Sequence, residues 1–570
     1  MMADCVEFDR CDAGDRYFHI RVVHNEKKMA NETRPVSETE TSIPRTCLPT
    51  WSIADLPKPS PLGLHNWKGF IGPGVVMCGI QIGGGEWLFG PEITVRYGGG
   101  LMWIATIAII LQVFYNLEAG RYTLYTGEPI FTGFMRTRPG PSFWVVFILL
   151  LNFGALIPGL STHGAAIVAS LVLDRPPGPE DKVFVTYLSY GALLLVTLPI
   201  LIGGKIYNMV QVVMTIKVIV VLGFCLLMGV FFVSPENWVN VFSGFLKFGN
   251  VPVEDGRGGE EVVNLFGAYL SDGQWPVIAM GNIAVLGAFA GFAGGGGLSN
   301  SVYSNMVRDK GWGMGSHVGA IASAIGGRKI SLSHLGSVFP TTPENMSRWR
   351  GWWRYLITDQ LLIWAPGCVM GMALPALISI EFSEFSPLYE QTDRLDWAQA
   401  VISADGLRHA PQFSQTIARI FWVVTLFVGM MVLLPSQMSI VEAFSRRWTD
   451  IIWSANRRVR SSMADDQVHY VYYSILGCYV VWTFFCAYLF NTYGTPKLMV
   501  LVVANLNNIA LAVTAFHLLW INRTLLPEPL RPRWYSQLGL LACTVLYLGL
   551  SGVVFHQKQL PLIREWLSGG

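Results

Sequence analysis

Eleven apolar segments dominate this chain of 570 residues. A helix of about 20 apolar residues is long enough to cross the hydrocarbon core of a bilayer. Only 14% of the residues are charged, whereas soluble proteins carry about 25%. The sequence therefore predicts an all-α polytopic membrane protein, embedded in membrane lipid, with its transporter domain at residues 66–556. The segments are 70–95, 100–124, 142–172, 184–203, 206–234, 277–307, 354–380, 415–443, 468–491, 497–521 and 535–555.

The basic residues between the segments predict the orientation. Cytoplasmic loops of membrane proteins carry an excess of Lys and Arg. We therefore expect a cytoplasmic N-terminal tail at residues 1–65, a C-terminal tail at 557–570 on the outer side, and residence in an inner or plasma membrane. Loops after the second, sixth, eighth and tenth segments are basic, with Arg136, Arg308, Arg446, Arg447 and Arg531 among their residues.

The N-terminal tail predicts little order. Residues 30–60 are rich in Ser, Thr, Pro and Glu, a composition typical of disorder. No secretory signal opens the chain, and Met29 is as plausible a start as Met1. The nine cysteines include no CxxC pair, and we interpret them as small apolar side chains rather than a disulfide framework.

Two segments are interrupted by glycine. Each Gly inside a helix costs about 1 kcal/mol relative to Ala, so runs of Gly predict breaks. Broken helices in corresponding halves of a transporter point to its binding site. Breaks in the first and sixth segments divide the chain into two five-helix halves of opposite orientation, an inverted repeat with an eleventh helix added. The runs are Gly83, Gly84 and Gly85, and Gly294, Gly295, Gly296 and Gly297.

Several polar residues near the breaks are candidates for substrate binding. Glu86 follows the first break, and a carboxylate beside free carbonyls suits a hard divalent cation. Its alternatives are a structural pairing with a buried cation and a protonated state. Ser299 and Asn300 follow the second break and offer oxygen ligands or a helix cap. Asn505 in the tenth segment, with Asn507 and Asn508, binds a cation or holds helices together.

Two basic residues are candidates for coupling. Lys217 lies inside the fifth segment, where a charge needs a partner or a water-filled cavity. It pairs with Glu86, stands in for a bound cation against exposed carbonyls, or reaches an inner vestibule. His163 in the third segment relays protons or packs through hydrogen bonds. Asp359 and Glu442 are expected near helix ends, solvated or paired with arginines.

The motifs of several enzyme classes do not occur. The sequence contains no HExxH, P-loop or nucleophile elbow, and its GxG patterns lie inside apolar segments. We therefore expect no enzymatic activity, no cofactor apart from a cation as substrate, and no nucleic-acid partner. The oligomeric state stays open.

The chain resembles the Nramp-type divalent-metal transporters from about residue 66 to 522. The motifs that carry the resemblance are Phe70-Ile71-Gly72-Pro73-Gly74, Gly203-Gly204-Lys205-Ile206 and Leu434-Pro435-Ser436-Gln437-Met438-Ser439. The resemblance implies the LeuT-like fold, with the substrate held between the first and sixth helices.

The chain departs from this family at its metal-binding motifs. The Asp-Pro-Gly-Asn motif of the first helix reads Gly83, Gly84, Gly85, Glu86 here. The Met-Pro-His motif of the sixth aligns with Gly296, Gly297 and Leu298, and a tenth-helix Gln matches Asn505. The third segment lacks the family's acidic pair. Loss of the sulfur ligand weakens preference for Mn²⁺ or Fe²⁺ over Mg²⁺, and a branch of the family that moves Mg²⁺ shows similar losses.

Three functions are compatible with these observations. The first is alternating-access transport of a divalent cation of the Mg²⁺ or Mn²⁺ class, with Glu86 as metal ligand and without the family's proton route. The second is transport of a small organic solute such as an amino acid on the same fold, because a half-helix N-terminus and Lys217 would bind a carboxylate. The third is a membrane sensor that transports nothing.

Overall fold

The computed structural model describes residues 17–22, 39–44, 46–63, 72–157, 159–202, 204–254, 259–326, 330–389, 398–493, 496–561 and 564. Three residues of the resemblance, Phe70, Ile71 and Gly203, lie outside this part of the chain. So do both candidate start residues, most of the N-terminal tail and most of the C-terminal tail.

The apolar segments form the spans of a helical membrane domain, numbered here from 1 to 11. Spans 1, 3, 4, 6, 7 and 11 consist of more than one helical piece. The spans are Pro73–Gln81, Gly85–Phe89 and Gly90–Tyr97 (span 1); Trp103–Thr126 (2); Pro141–Leu151, Phe153–Leu156 and Gly159–Leu173 (3); Lys182–Thr197 and Leu198–Leu201 (4); Ile206–Phe232 (5); Ile283–Phe292, Gly297–Ser299 and Val302–Lys310 (6); Pro343–Thr358, Asp359–Trp364 and Ala365–Phe382 (7); Gln415–Ala455 (8); Val468–Tyr493 (9); Pro496–Leu525 (10); and Trp534–Val554 with Phe555–Gln559 (11).

The span count follows from where the helices break. Among the described residues, nine helices are long and apolar enough to cross a membrane, and the pair in span 6, bent by 52°, is a tenth. Span 1 was counted in the prediction of eleven, but its pieces are too short to cross a membrane one by one. The predicted all-α class and the breaks in spans 1 and 6 are confirmed.

Short elements join the spans on both faces. Spans 5 and 6 are connected by Pro235–Gly244, an antiparallel pair of strands at Asn250–Glu254 and Glu260–Asn264, and Leu265–Asp272. Ala398–His409 lies between spans 7 and 8. On the opposite face lie Ile130–Arg136, Gly315–Val318, Ser337–Val338 and Arg457–Ser462. A continuous apolar core runs through the spans between these faces.

Residues 46–63 form an extended segment, here called the strap, on the face where span 7 begins, here called the strap face. Ser52–Ile53 pairs in parallel with Ser337–Val338. The Leu56 N–H donates to Asn345 Oδ1 at 3.2 Å, and Trp352 Nε1 donates to the Pro57 carbonyl at 2.7 Å. The strap does not fit the predicted disorder, because the loop before span 7 and the first turns of span 7 supply partners for its backbone.

The N-terminal tail departs from its prediction in two further ways. Tyr17–Val22 and Thr39–Pro44 form an antiparallel pair of strands. Cys47 is disulfide-bonded, so the interpretation of all nine cysteines as apolar side chains is wrong at this position. Among the described cysteines, Cys78, Cys225, Cys368, Cys478, Cys486 and Cys543 are free.

Arg136 fastens the strap to the membrane domain. Its Nη1 donates to the Pro49 carbonyl at 2.8 Å, and its Nη2 lies 2.5 Å from Glu128 Oε1. Burial opposes ionisation of Glu128, but the adjacent guanidinium outweighs it and holds the pKa of this carboxyl below its ordinary value. Arg136 lies, as predicted, in the connection after span 2, where it is a buried structural cation at the end of the short helix Ile130–Arg136.

Span 8 extends from its predicted end at residue 443 to Ala455. Arg446 and Arg447, predicted in a loop, consequently lie inside the helix and are buried. Arg446 Nε donates to Glu442 Oε1 at 2.6 Å, and Arg446 also pairs with Asp309. The hydropathy of the sequence falls at these arginines, yet the helix continues because carboxylates on spans 6 and 8 neutralise Arg446.

Two further charged residues differ from prediction in the same region. Arg308, predicted in a loop, is a buried residue of span 6 whose Nη1 lies 2.5 Å from Asp450. Asp359 is buried in span 7 and accepts from the Gly74 N–H at 2.9 Å and from the Tyr303 hydroxyl at 2.8 Å. The pairing of Glu442 with an arginine is confirmed. Asp359 instead accepts a hydrogen bond from Gly74 in the first turn of span 1.

Candidate functional site

The break in span 1 is organised by Glu86. The first helix ends at Gln81, and the Gly83 N–H donates to Glu86 Oε2 at 2.8 Å. The side chain thus caps the start of the second piece, since it accepts from an N–H group that has no partner within the helix. Glu86 is buried, and its Oε1 has no hydrogen-bond partner.

The glycines of this break are needed mainly for close approach. A Cβ added at Gly83 would lie 2.8 Å from Ser436 Oγ, and one at Gly85 would lie 2.6 Å from Phe292 Cβ. Gly84, by contrast, has ordinary helical angles, with φ −64° and ψ −33°. Spans 8 and 6 therefore press against the broken backbone at Gly83 and Gly85.

Lys217 reaches the same break from span 5. Its Nζ donates to Ser436 Oγ at 2.5 Å, and that oxygen lies 3.3 Å from the Ile82 carbonyl oxygen. Lys217 is fully buried. It forms no ion pair with Glu86, which bonds Gly83 instead. Of the three predicted roles for Lys217, the geometry is closest to a cation held against the carbonyls of the break.

The break in span 6 depends on backbone that favours glycine. Gly294, Gly295, Gly296 and Gly297 have φ values of +85°, +122°, +59° and +58°, all in the region where L side chains are strained. Gln112 of span 2 holds this backbone in place. Its Nε2 donates to the Ala293 carbonyl at 2.7 Å, and its Oε1 accepts from the Gly296 N–H at 3.3 Å.

Arg447 of span 8 holds the far side of the same break. Its Nη2 donates to the Leu298 carbonyl at 2.9 Å and its Nη1 to Asn152 Oδ1 at 2.6 Å. Its Nε has no partner, and the side chain is buried. A guanidinium presents its N–H donors in a rigid planar fork suited to carboxylates, so Arg447 retains a donor in a site of low dielectric constant.

A cavity with a volume of about 80 Å³ lies between spans 3, 6, 8 and 10. Its wall is mostly apolar, and its polar groups include Arg447. The lining residues are Asn152, Gly154, Ala155, Ile157, Gly159, Leu160, Phe292, Gly295, Leu298, Ser299, Ile440, Ala443, Phe444, Arg447, Val503 and Asn507. We call this space the central cavity.

The predicted site residues divide into those that line the central cavity and those that support it. Gly295 and Ser299 line it. Asn300 is buried beside it and donates to Asn116 Oδ1 at 3.0 Å. Asn505 Nδ2 donates to the Leu501 carbonyl of its own helix at 2.9 Å and to the Ala284 carbonyl of span 6 at 3.3 Å, which favours the helix-holding alternative, whereas Asn507 lines the cavity.

His163 and Glu86 do not line the cavity either. His163 Nδ1 lies 3.0 Å from the Gly159 carbonyl oxygen, one turn earlier in span 3. This contact favours the packing interpretation of His163. Within the described residues, no group of three or more His, Cys, Asp or Glu side chains is placed to hold a metal ion. Glu86 is therefore not part of such a group.

Three residues of the site were not predicted. Arg447 was assigned to a loop because hydropathy falls at the Arg446-Arg447 pair. Gln112 and Asn152 are single amides in apolar segments, and such residues are common in helix packing. The available signal was a polar residue at membrane depth, which is costly and often functional. This signal is stronger for the charges of Glu86 and Lys217 than for the neutral amides of Gln112 and Asn152.

No protein-family model matches the chain, and no curated protein sequence matches it. Solved structures do. The manganese transporter of Eremococcus coleocola, in complex with an aromatic bis-isothiourea compound, superposes with a TM-score of 0.56 at 14% identity over 91% of this chain and 96% of that chain. A single-residue mutant of the same transporter gives a TM-score of 0.55 at 14% identity over 91% and 94% of the two chains.

This likeness concerns the fold. Together with the breaks in spans 1 and 6, it confirms the LeuT-like architecture that the resemblance implied. Membership of the Nramp-type family stays a prediction.

Proposed function

We propose that the chain is a secondary transporter that moves a small organic solute with an acidic group by alternating access, and that the central cavity is the binding site. The observation that carries this proposal is Arg447. It lines the cavity, its Nε is unpartnered, and its other nitrogens are fixed by Asn152 and Leu298. A preorganised guanidinium in a buried cavity favours a carboxylate or another planar anion.

The charges at the two breaks favour an anionic substrate over a cationic one. Lys217 lies against the break in span 1 through Ser436, and Arg447 bonds a carbonyl at the break in span 6. Basic side chains thus take the carbonyl-rich positions that a transported cation would use. Glu86 is a single carboxylate at the break in span 1, and the positive charges of Lys217 and Arg447 would repel a cation strongly in a low dielectric.

The apolar wall of the cavity suggests that the part of the solute beyond its acidic group is apolar. Leu160, Phe292 and Phe444 line it together with Ile440 and Val503. Apolar surface buried in such a pocket contributes about 25 cal/mol per Å². The favoured class is an organic acid or amino acid with an apolar body.

Lys217 further suggests how transport is coupled. Its ammonium donates to Ser436 Oγ, which lies 3.3 Å from the Ile82 carbonyl oxygen, so a fixed positive charge already lies beside the break in span 1. Uptake is therefore expected to need no added Na⁺. Lys217→Met should abolish transport under this proposal.

Glu86 favours a second candidate, transport of a divalent cation of the Mg²⁺ or Mn²⁺ class. Its Oε1 is buried and unpartnered, so it is available as an oxygen ligand. Hard divalent cations prefer such oxygen atoms. For this candidate the remaining ligands would be carbonyls and waters.

Uptake into proteoliposomes tests both candidates. Radiolabelled L-phenylalanine, L-leucine, benzoate, Mg²⁺ and Mn²⁺ would be compared for the wild type, Arg447→Gln, Arg447→Lys and Glu86→Gln. The proposal expects saturable uptake of an acid-bearing solute that is lost in Arg447→Gln, partly retained in Arg447→Lys and preserved in Glu86→Gln.

The opposite pattern would replace the proposal. Cation uptake that is lost in Glu86→Gln and retained in Arg447→Gln would assign the divalent cation as substrate. No uptake of any probe by correctly folded protein would favour the sensor function, and thermal unfolding of each variant shows whether it is folded.

A further inference from the structure

A second concave site lies on the strap face, away from the central cavity. It is formed where span 7 begins, span 10 ends and span 11 begins. Its basic residues are Arg350 from span 7, Arg523 from span 10, and Arg531 and Arg533 from the connection to span 11. We call this site the basic groove.

The basic groove carries an uncompensated positive charge. All four of these arginines are exposed, and none forms an ion pair with a described residue. Glu528 is the only acidic residue among the described residues of the lining. Four guanidinium groups around one concave surface create a strong local attraction for anions, and their fork geometry suits phosphate oxygens.

The floor of the groove is aromatic and held in place. Trp349 and Trp353 lie on successive turns of span 7, and their stacked rings have centroids 6.4 Å apart. Arg121 stacks on Trp353 at 4.0 Å, while its Nε bonds Glu118 at 2.8 Å. This buried arginine is thus already neutralised, and it positions the tryptophan. Tryptophan is enriched at the level of lipid headgroups.

The groove opens onto surface that faces lipid. Tyr535 lines the groove, and one turn deeper along span 11 Leu538 is 59% exposed. Ile357 lines the groove on span 7, and Leu361 and Leu362 follow it deeper in the span with exposures of 49% and 72%. A ligand held by the arginines would therefore have an apolar path into the bilayer directly beside it.

We propose that the basic groove binds the phosphate headgroup of an anionic phospholipid, with the acyl chains lying against Leu361, Leu362 and Leu538. Basic pockets between transmembrane helices recognise such headgroups. The combination of phosphate-binding donors, interfacial aromatic rings and adjoining apolar surface fits a lipid better than a soluble phosphate. Binding would join spans 7, 10 and 11 at the strap face.

Native mass spectrometry of the full chain in detergent tests this proposal. The probes are dioleoyl phosphatidylglycerol, dioleoyl phosphatidylcholine and glycerol 1-phosphate. The variant is R531Q/R533Q, and the control is R138Q/R457Q, which removes two exposed arginines elsewhere on the same face. Each basic residue near an anionic lipid is worth about a fivefold change in affinity, so the Kd for phosphatidylglycerol should rise roughly 25-fold in the variant.

The remaining outcomes are equally specific. The control should change this Kd less than about twofold, because its arginines are outside the groove. Equal losses in variant and control, or equal binding of phosphatidylglycerol and phosphatidylcholine, would overturn the proposal. Displacement of the lipid by glycerol 1-phosphate at equal affinity would assign a soluble phosphate instead. If R531Q/R533Q does not fold, as judged by thermal unfolding, the exposed Arg350 provides R350Q, with about a fivefold expected loss.

Discussion

The two helix breaks are similar in sequence but differ in what holds them. In span 1 the backbone leaves the helix at Ile82, with φ −66° and ψ 88°, and is helical again at Gly84; a side chain of the same span, Glu86, caps the second piece. In span 6 four successive glycines have positive φ, and the contacts that hold the break come from Gln112 of span 2 and Arg447 of span 8. One break is thus mainly local, and the other is imposed by its neighbours.

This difference separates two physical reasons why a position in such a break requires glycine. At Gly83 and Gly85 the requirement is space against Ser436 and Phe292. At Gly296 it is both space and backbone conformation. Substitutions at the two breaks should therefore differ in size, and the following four experiments test that ordering.

The largest effect is expected for Gly296→Ala. The residue has φ +59°, and an added Cβ would lie 1.6 Å from the Gly291 carbonyl oxygen, a backbone atom that cannot move aside. We expect a loss of about 4 kcal/mol or more in the free energy of unfolding, or failure to fold. SDS titration of the purified protein measures it. An unfolding curve like that of the wild type would show that the span 6 break is not built as described.

Gln112→Leu should have the next largest effect. It leaves the Ala293 carbonyl and the Gly296 N–H buried without their partner, at about 1–3 kcal/mol for each group. Gln112→Glu is the matched variant, since it keeps an acceptor for Gly296 but loses the donor for Ala293. The same SDS titration should place it between the wild type and Gln112→Leu. Equal stability of all three proteins would contradict the role of Gln112 in holding the span 6 break.

Glu86→Ala should cost about 1 kcal/mol, the usual value of a lost helix cap. Glu86→Gln keeps an oxygen that accepts from the Gly83 N–H, so its stability should lie near that of the wild type. The comparison sharpens the local character of the span 1 break. If Glu86→Gln were as unstable as Glu86→Ala, the negative charge itself would be the stabilising feature.

The smallest effect is expected for Gly84→Ala. The residue is helical, and the nearest atom to an added Cβ is the flexible Leu160 Cδ2 at 3.0 Å. Higher helix propensity and that contact oppose each other, so the change should stay within about 1 kcal/mol in either direction. A large fall in the thermal unfolding temperature would show that Gly84, like Gly83 and Gly85, is needed for close approach.

The sequence by itself determined the features that depend on local composition. Apolar runs of membrane length set the helical class, because a bilayer requires backbone groups to be satisfied within each segment. The two glycine runs located both breaks, because glycine lowers helix stability through its own backbone freedom and not through contacts with other segments. The choice of Glu86 and Lys217 as candidate site residues also followed from the cost of a charge at membrane depth.

Only the tertiary structure decided which polar groups face one another. The sequence predicts a loop at Arg446 and Arg447, because two adjacent charges end the apolar segment. In the structure Glu442 and Asp309 neutralise Arg446. Arg447 lines the central cavity. The strap is ordered by partners nearly 300 residues away in the chain, such as Asn345. Such pairings are contacts between distant segments, and their energies arise only once the spans have packed.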